Sequence, residues 1–550
     1  MPGIFPALEA SGLWRGGDGL KMMHKPSFTP PDDFNSAAAK DGALARLLFD
    51  LGCRFYVDRL QGGIGFTRKY PYDAELLKYY RDLPDGRFLG FQMHEWASNF
   101  ASDLGRIRAS FAADGLSPDA PADAERFWRE VKAGEREVFL EAFAPEEYAE
   151  MRLPEGLAEF LRAAEALYAL RARETGGRLF PADSYYMAPR AEIAHGARLL
   201  LPECGWQIPN MRVQIAYTRG MAKAAGIPWG IYWECWQNTA DAGFTIPFSL
   251  RKGQDEWLED LLHKGAGSDR PPEEREHGGS SLSLAERAWR FAYFSGAETV
   301  AEEYGVCNTF RDLATAELSP YGEMKRSFLR FTEAFPDLGN PYTPIAVVLP
   351  AELPMLDIRF ADDYLGFPTD DPACPAVMRA PAQFRAATEE IFGDGDGFGN
   401  CGHVLKSGGL PAVCDIVHAD MEDALSGYEY LIDLTGDPSF AVRHKNTVAP
   451  SGADRLLDGL LPLRVGGGLC AAYNRRGDEW YILLMNNNGV RHDGFRPDEF
   501  RSAAAVTQAL RLRDPTRGVR MAAGTGRLSS NDGAYTVSLP AGAWLLLQTS

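Results

Sequence analysis

The chain has 550 residues, of which 45% are hydrophobic and 24% charged, with 57 Lys and Arg against 76 Asp and Glu and a formal net charge of −19. An ordinary apolar share excludes wholesale disorder, and the acidic balance argues against a general binder of nucleic acid or anionic membrane, which needs a positive field. At roughly one domain per ~150 residues the length suits three or four domains, or one large barrel with additions.

No apolar run reaches 18 residues, so no transmembrane helix is expected, and Met1 to Pro6 lacks the basic and apolar regions of a signal peptide. The eight cysteines form no CxxC pair, and most sit in apolar, strand-like runs, as reduced cysteines of a cytoplasmic protein do. Cys401-Gly402-His403 is the one Cys/His cluster, and two ligands do not make a zinc site. No metal and no cofactor is expected.

Helix-like and strand-like segments alternate through residues 1–336. Ala37 to Leu51 reads as an amphipathic helix stopped by Gly52, followed by a strand at Cys53–Asp58. Asp73–Leu83 is helical, Phe88–Trp96 is a strand, and 124–175 carries helical periodicity with a break near Pro154. Strands are expected at Leu179–Met187 and Arg198–Glu203. A helix from Asn210 to Ala225, closed by Gly226, leads into the strand Ile227–Trp236. After a polar Gly/Pro-rich loop at 264–281 come a helix at Leu284–Ser295, a strand at Glu298–Tyr304 and a closing helix at Tyr321–Phe335. Repeated βα units of this length, with no Gly-rich phosphate loop and with polar residues at strand ends, fit a (β/α)8 TIM-like barrel of which six or seven strands can be counted.

Residues 337–344 read as a linker into a second domain, 337–463. There Ile345–Leu349, Val413–Val417 and Tyr430–Leu434 look like parallel strands, with helices at Ala382–Phe392 and Ala453–Leu460, as in a flavodoxin-like α/β domain. The Asp-rich loop at 393–402 lacks the carboxylate spacing of an EF-hand. Residues 464–550 hold short strands between turns, at Leu469–Tyr473, Trp480–Met485, Val519–Ala522, Ala534–Leu539 and Ala543–Gln548, and read as a β-sandwich.

Catalytic groups of a TIM barrel lie at the C-terminal strand ends. Glu95, Glu203, Glu234 and the pair Glu302/Glu303 sit there beside Trp96, Trp206, Trp233, Trp236 and Tyr304. Carboxylates among aromatic rings suit a carbohydrate site: ring faces stack on sugar C–H surfaces, while two carboxyl groups act as acid and as nucleophile or base. No GxSxG elbow supports serine hydrolase chemistry. Strand alternation places Glu303 toward the barrel axis and Glu302 toward a helix, and likewise turns Gly230, Tyr232 and Glu234 inward. With Leu89, Phe91 and Met93 outward, Gln92, His94 and Trp96 face in and Glu95 is demoted, unless a bulge reverses the register. In the strand ending at Glu203 both faces are apolar and alternation does not decide. Asp58, Arg59, His94 and Asn308 complete the candidate substrate contacts, though each such residue also has an ordinary structural reading as an ion pair, a loop anchor or core.

The stretch Leu201 to Trp236 (LPECGWQIPNMRVQIAYTRGMAKAAGIPWGIYWECW) resembles glycoside-hydrolase barrels: a Glu-bearing strand, a helix with Arg-Gly, then a Trp-rich strand. The order of barrel, α/β domain and sandwich resembles the family 42 β-galactosidases of clan A. That resemblance implies a retaining glycosidase whose middle domain is amidotransferase-like, non-catalytic and engaged in homo-oligomer assembly, as a trimer or dimer. Clan A enzymes carry Asn-Glu after the fourth strand, whereas Pro202 precedes Glu203 here. The expected assignment is Glu203 as acid/base and Glu303 as nucleophile, with Glu234 as substitute for either. Two other functions fit the same residues: a sugar isomerase or lyase, and a non-catalytic carbohydrate-binding protein descended from a glycosidase.

Overall fold

The computed structural model describes residues 4–14, 19–22, 39–57, 73–83, 86–94, 96–97, 113, 115, 156–182, 188–204, 211–234, 237–239, 243–245, 281–303, 309–353, 363–364, 367–368, 372, 391, 410–493, 496–500 and 504–549. The expected helix at 382–392 and the loops at 264–281 and 393–402 lie almost wholly outside them. The chain is an α/β protein whose C-terminal part is antiparallel β, and it divides into two compact units. The first holds 1–9, 14–202 and 352–381; the second holds 10–13, 203–351 and 382–550.

In the first unit, strands β1 (Gly19–Met22), β2 (Arg54–Val57), β3 (Phe88–His94) and β4 (Leu179–Ala182) form a parallel sheet in that order. Each is followed in the chain by a helix: α1 (Ala43–Leu51), α2 (Ala74–Arg81), α3 (Leu157–Glu174) and α4 (Pro189–Ala194). Gly52 ends α1 in the left-handed region at φ 65°, as its position in the sequence suggests. Asp73 caps α2 by accepting from the Glu75 and Leu76 backbone N–H groups at 3.0 and 3.2 Å. Apolar rings weld helices to sheet: Phe55 meets Tyr80 of α2 and Phe88 at centroid distances of 6.1 and 5.5 Å, and Phe88 meets Phe91 at 4.9 Å.

Phe88 and Phe91 are three residues apart and would point to opposite faces of a regular strand. They come together because the pairing slips, from Phe55 opposite Phe88 to Tyr56 opposite Gly90. Gly90 permits the slip, with φ 142° and its backbone so close to β4 that a Cβ would lie 2.5 Å from the Arg178 carbonyl oxygen. The expected outward set of Leu89, Phe91 and Met93 is corrected accordingly. Phe88 joins the helix-side rings, and Leu89 is left half-buried at the slip. β4 covers the first four residues of the strand expected at 179–187, the rest of which lies outside the described residues, and the strand expected at 198–203 is found as β5, which keeps Glu203 and adds Cys204.

In the second unit, β5 (Glu203–Cys204), β6 (Gly230–Glu234) and β7 (Thr299–Glu303) form a three-stranded parallel sheet, followed in the chain by α5 (Met211–Ala225), α6 (Ser281–Phe294) and α7 (Pro320–Ala334). A separate parallel sheet comprises β8 (Ile345–Leu349), β9 (Cys414–His418), β10 (Tyr430–Asp433) and β11 (Thr447–Val448). Its spatial order is β9-β8-β10-β11, the 2-1-3-4 sequence in which a flavodoxin-like sheet begins. Helix α8 (Pro450–Leu460) follows. The C-terminal strands β12 (Leu469–Arg476), β13 (Glu479–Asn486), β14 (Val519–Gly524) and β15 (Trp544–Thr549) build one antiparallel sheet, and Val506–Ala509, Ala534–Leu539 and Arg527–Asn531 build another. The expected linker is not wholly irregular, since Asn340–Pro341 pairs with β12 as an edge strand.

Helix α5 is buried from Met211 through Ala222, unlike a surface helix with one apolar stripe. One flank meets β9 so closely that a Cβ on Gly220 would fall 2.3 Å from the Ile416 carbonyl oxygen. Beside that contact, the buried Asp415 carboxylate takes Arg219 Nε at 2.6 Å, Lys223 Nζ at 2.7 Å, Thr343 Oγ1 at 2.8 Å and Tyr428 Oη at 3.0 Å. Tyr217 and His418 add a buried bond at 2.8 Å. Helix α6 is fastened to the antiparallel strands by Arg287, which donates to Asn487 Oδ1 at 3.2 Å and to the Gly542 carbonyl at 2.9 Å, and by Arg290, which lies 4.4 Å over the Trp544 ring. Burial brings the Arg287 guanidinium down to about 10.

Burial acting alone would raise the Asp415 carboxyl, but Arg219 and Lys223 outweigh it and hold the group below the ordinary carboxylate range. Its stabilisation is therefore complete above the unfolded value of about 3.9 and is lost as pH falls through the lower folded value. Asp415→Asn leaves the buried Arg219 charge uncompensated and should cost about 3–5 kcal/mol at pH 7, with the gap to the parent chain narrowing below about pH 4. Urea unfolding of both proteins at neutral and acid pH measures it.

Candidate active site

The β5–β6–β7 sheet carries the three leading carboxylate positions, and its register sorts them. Glu203 pairs with Tyr232, Tyr232 with Ala301, and Glu234 with Glu303. Partners in a parallel ladder share a face, and so do residues two apart along a strand. Positions 203, 232, 234, 301 and 303 therefore occupy one face, with 234 and 303 side by side at its C-terminal end.

The opposite face meets helices, as three contacts establish. Cys204 Sγ lies 3.1 Å from Gln214 Oε1 on α5. Trp233 donates its indole N–H to Tyr321 Oη on α7 at 2.6 Å, and Glu302 accepts from Lys325 Nζ, also on α7, at 2.5 Å. Lys325 donates further to Thr309 Oγ1 at 2.7 Å. The expected outward turn of Glu302 is thus what the structure has, and position 303 belongs to the other face.

Glu203 is fully buried, and its carbonyl oxygen accepts from Gln214 Nε2 at 2.6 Å. Gln214, itself fully buried, thereby holds both residues of β5, one through its carbonyl and one through its thiol. Tyr232 is fully buried on the carboxylate face. The arrangement offers one enclosed carboxyl on β5 and two neighbouring Glu positions at the ends of β6 and β7, a grouping suited to acid–base or nucleophilic work on one substrate.

Two of the expected aromatic residues are engaged within the protein. Trp96 was expected among the substrate-contacting rings, but it is fully buried, bonds Glu192 Oε1 of α4 at 3.1 Å and packs on Tyr168 of α3 at 5.0 Å. Trp233, at 5% exposure with its N–H held by Tyr321, packs on the helix side. Both indole N–H groups are thus taken up by side chains of the protein. His94 ends β3 opposite Ala182. Asp58, Arg59, Glu95, Trp206, Trp236, Tyr304 and Asn308 lie outside the described residues. Among the described residues no group of three or more His, Cys, Asp or Glu is placed to hold a metal ion, and no helix is long and apolar enough to cross a membrane.

Gln214, Tyr321 and Lys325 escaped the sequence reading. Each lies on a helix and meets a partner 11, 88 or more than 20 residues away, and only the first has a local hint, a polar residue in an apolar helix run. Gln214→Leu removes the donor to the buried Glu203 carbonyl and should cost about 1–3 kcal/mol, read from the denaturant midpoint.

No family model matches the chain, and no curated protein matches it in sequence. Among solved structures, it is similar to a β-galactosidase from Bacillus circulans sp. alkalophilus, at 9% identity and a TM-score of 0.47, covering 100% of this chain and 96% of that one. It is similar to a GH42 β-galactosidase at 8% identity and a TM-score of 0.44, covering 99% and 95%. It is similar to the catalytic module of a family 98 glycoside hydrolase from Streptococcus pneumoniae at 10% identity and a TM-score of 0.35, covering 92% and 86%. With every TM-score below 0.5, none of these likenesses fixes a family for the chain.

Proposed function

We propose that the chain is a glycoside hydrolase acting on small oligosaccharides or glycosides. The observation that supports this most is the strand register, which gathers positions 203, 234 and 303 on one face while Trp233 and Glu302 are engaged on the other. The succession of seven βα units, split between two parallel sheets, supports a TIM-like barrel as its fold class. The resemblance of Leu201–Trp236 to glycoside-hydrolase barrels points the same way. We take 1–336 as that barrel, 337–463 as an amidotransferase-like domain without catalysis, and 464–550 as a sandwich, in a homo-oligomer.

In this reading Glu203, withheld from bulk water, protonates the glycosidic oxygen as the bond to the leaving group breaks. Glu303 attacks the anomeric carbon from the other side, forming a glycosyl ester. Glu203 then takes a proton from the water that hydrolyses the ester, so configuration is retained. Such a pair stands about 5–5.5 Å apart. Glu234, partnered with position 303, steadies the nucleophile or replaces either member of the pair. Trp206, Trp236 and Tyr304 remain the candidate stacking rings.

A panel of nitrophenyl glycosides tests the proposal. The full chain should release nitrophenol from at least one, and Glu203→Gln and Glu303→Gln should each lower kcat by about 10²-fold or more. Glu302→Gln, on the helix face, should leave kcat within a few-fold of the parent while lowering stability. Sugar binding without turnover, or equal losses at Glu302 and Glu303, would overturn it.

A further inference from the structure

Trp233 and Glu302 pair in the β6–β7 ladder, and each immediately precedes a carboxylate position of the candidate site, 234 and 303. Both are held from α7 by side chains one turn apart: Tyr321 Oη accepts from the Trp233 indole, and Lys325 Nζ meets Glu302 Oε2. The two holders also touch each other. Lys325 Nζ lies 5.1 Å from the centroid of the Tyr321 ring, within reach of a cation–π attraction.

The same amine reaches past the end of β7. It donates to Thr309 Oγ1 at 2.7 Å, so residues 302 and 309, on either side of the segment that leaves β7, are tied to one atom. The backbone pins Thr309 as well. Its carbonyl accepts the Ser319 N–H at 3.0 Å, and Gly322 in the first turn of α7 comes so near that a Cβ there would collide with that oxygen. Ser319 caps the helix by accepting from the Gly322 N–H at 3.0 Å, which fixes the start of α7 at the same point. Lys325 and Thr309 are both buried.

A buried ion pair is a poor device for stability alone, because desolvating two charges roughly cancels their attraction and a packed apolar pair of similar size often does as well. What an ammonium adds is geometry: three N–H donors at one point, each holding its acceptor at about 2.7–2.9 Å. We infer that Lys325 is a positioning residue of the carboxylate face. Through Glu302, Thr309 and the Tyr321–Trp233 bond it fixes where positions 234 and 303 stand relative to each other. Its catalytic consequence rests on the glycosidase reading of those two positions. Glu302→Gln keeps an acceptor for Lys325, and with it the geometry; loss of Lys325 does not.

Steady-state kinetics and backbone hydrogen exchange on the full chain test the role. Lys325→Met should lower kcat by about 10–100-fold, as a displacement of about 1 Å at reacting groups does, with KM within about threefold of the parent. Exchange over 300–303 should rise at least about tenfold, and by more than it rises in β13. In a double variant, Glu302→Leu with Lys325→Met, apolar packing replaces the pair. It should regain most of the Tm lost in Lys325→Met but neither its kcat nor its protection at 300–303. Phe328→Leu, which trims contacts of α7 with Trp289 and Tyr293 of α6, should lower Tm and leave kcat and strand-end exchange unchanged. Recovery of kcat together with Tm in the double variant, or unchanged exchange at 300–303 in Lys325→Met, would overturn the role. A parent chain that hydrolyses no glycoside would sink the glycosidase reading, and exchange would still decide the placement by Lys325.

Discussion

A carboxylate taken out of water has to be neutralised where it stands, and Asp415 meets that demand through one helix. Arg219 and Lys223, a turn apart on α5, both reach it, Arg219 at Oδ1 and Lys223 at Oδ2, and Thr343 and Tyr428 donate to Oδ2 as well. The consequence extends beyond one ion pair. With Gly220 pressed on the β9 backbone and Tyr217 bonded to His418, the helix has a single permitted height and rotation against that sheet. Its other flank carries Gln214, which grips both residues of β5. The position of Glu203 is thereby tied to a carboxylate more than two hundred residues along the chain.

The second constraint is the pleat. On β6 and β7 it forces alternate residues to opposite faces, and the structure spends one face on packing. Trp233 and Glu302 are drawn to α7 by Tyr321 and Lys325. Positions 232, 234, 301 and 303 are consequently left together on the other. On β3 the same rule is broken locally at Gly90, and the aromatic cluster around Phe88 is the result. Selection of a candidate site from sequence alone depends on which of these two behaviours a strand follows.

That difference explains what was legible. Six of the seven strands of the βα succession were visible as apolar runs, and Gly52 and Gly226 marked helix ends because a left-handed residue is needed there. Strand β1, with the sequence Gly-Leu-Lys-Met, is too short and too mixed to show periodicity. Alternation separates Glu303 from Glu302, since β6 and β7 pair without a slip. Alternation fails at Leu89, because the slip goes with the close approach of the Arg178 carbonyl, just before β4 and some ninety residues later. The tryptophans were the least legible: being aromatic at a strand end does not say whether a ring faces a sugar or a helix, and the partners Glu192 and Tyr321 that decided Trp96 and Trp233 lie far away in sequence. The cluster around Asp415 left no local trace at all, its strongest pair being separated by 196 residues.

In the proposed glycosidase, Glu203, Glu234 and Glu303 converge on one substrate. A crystal structure of the full chain soaked with a monosaccharide would show this convergence or its absence. A sugar ring should lie within hydrogen-bonding distance of at least two of the three carboxylates, about 2.7–3.2 Å, with two carboxyl groups about 5–5.5 Å apart. A sugar bound elsewhere, or no two of these carboxylates within about 10 Å across one pocket, would contradict it.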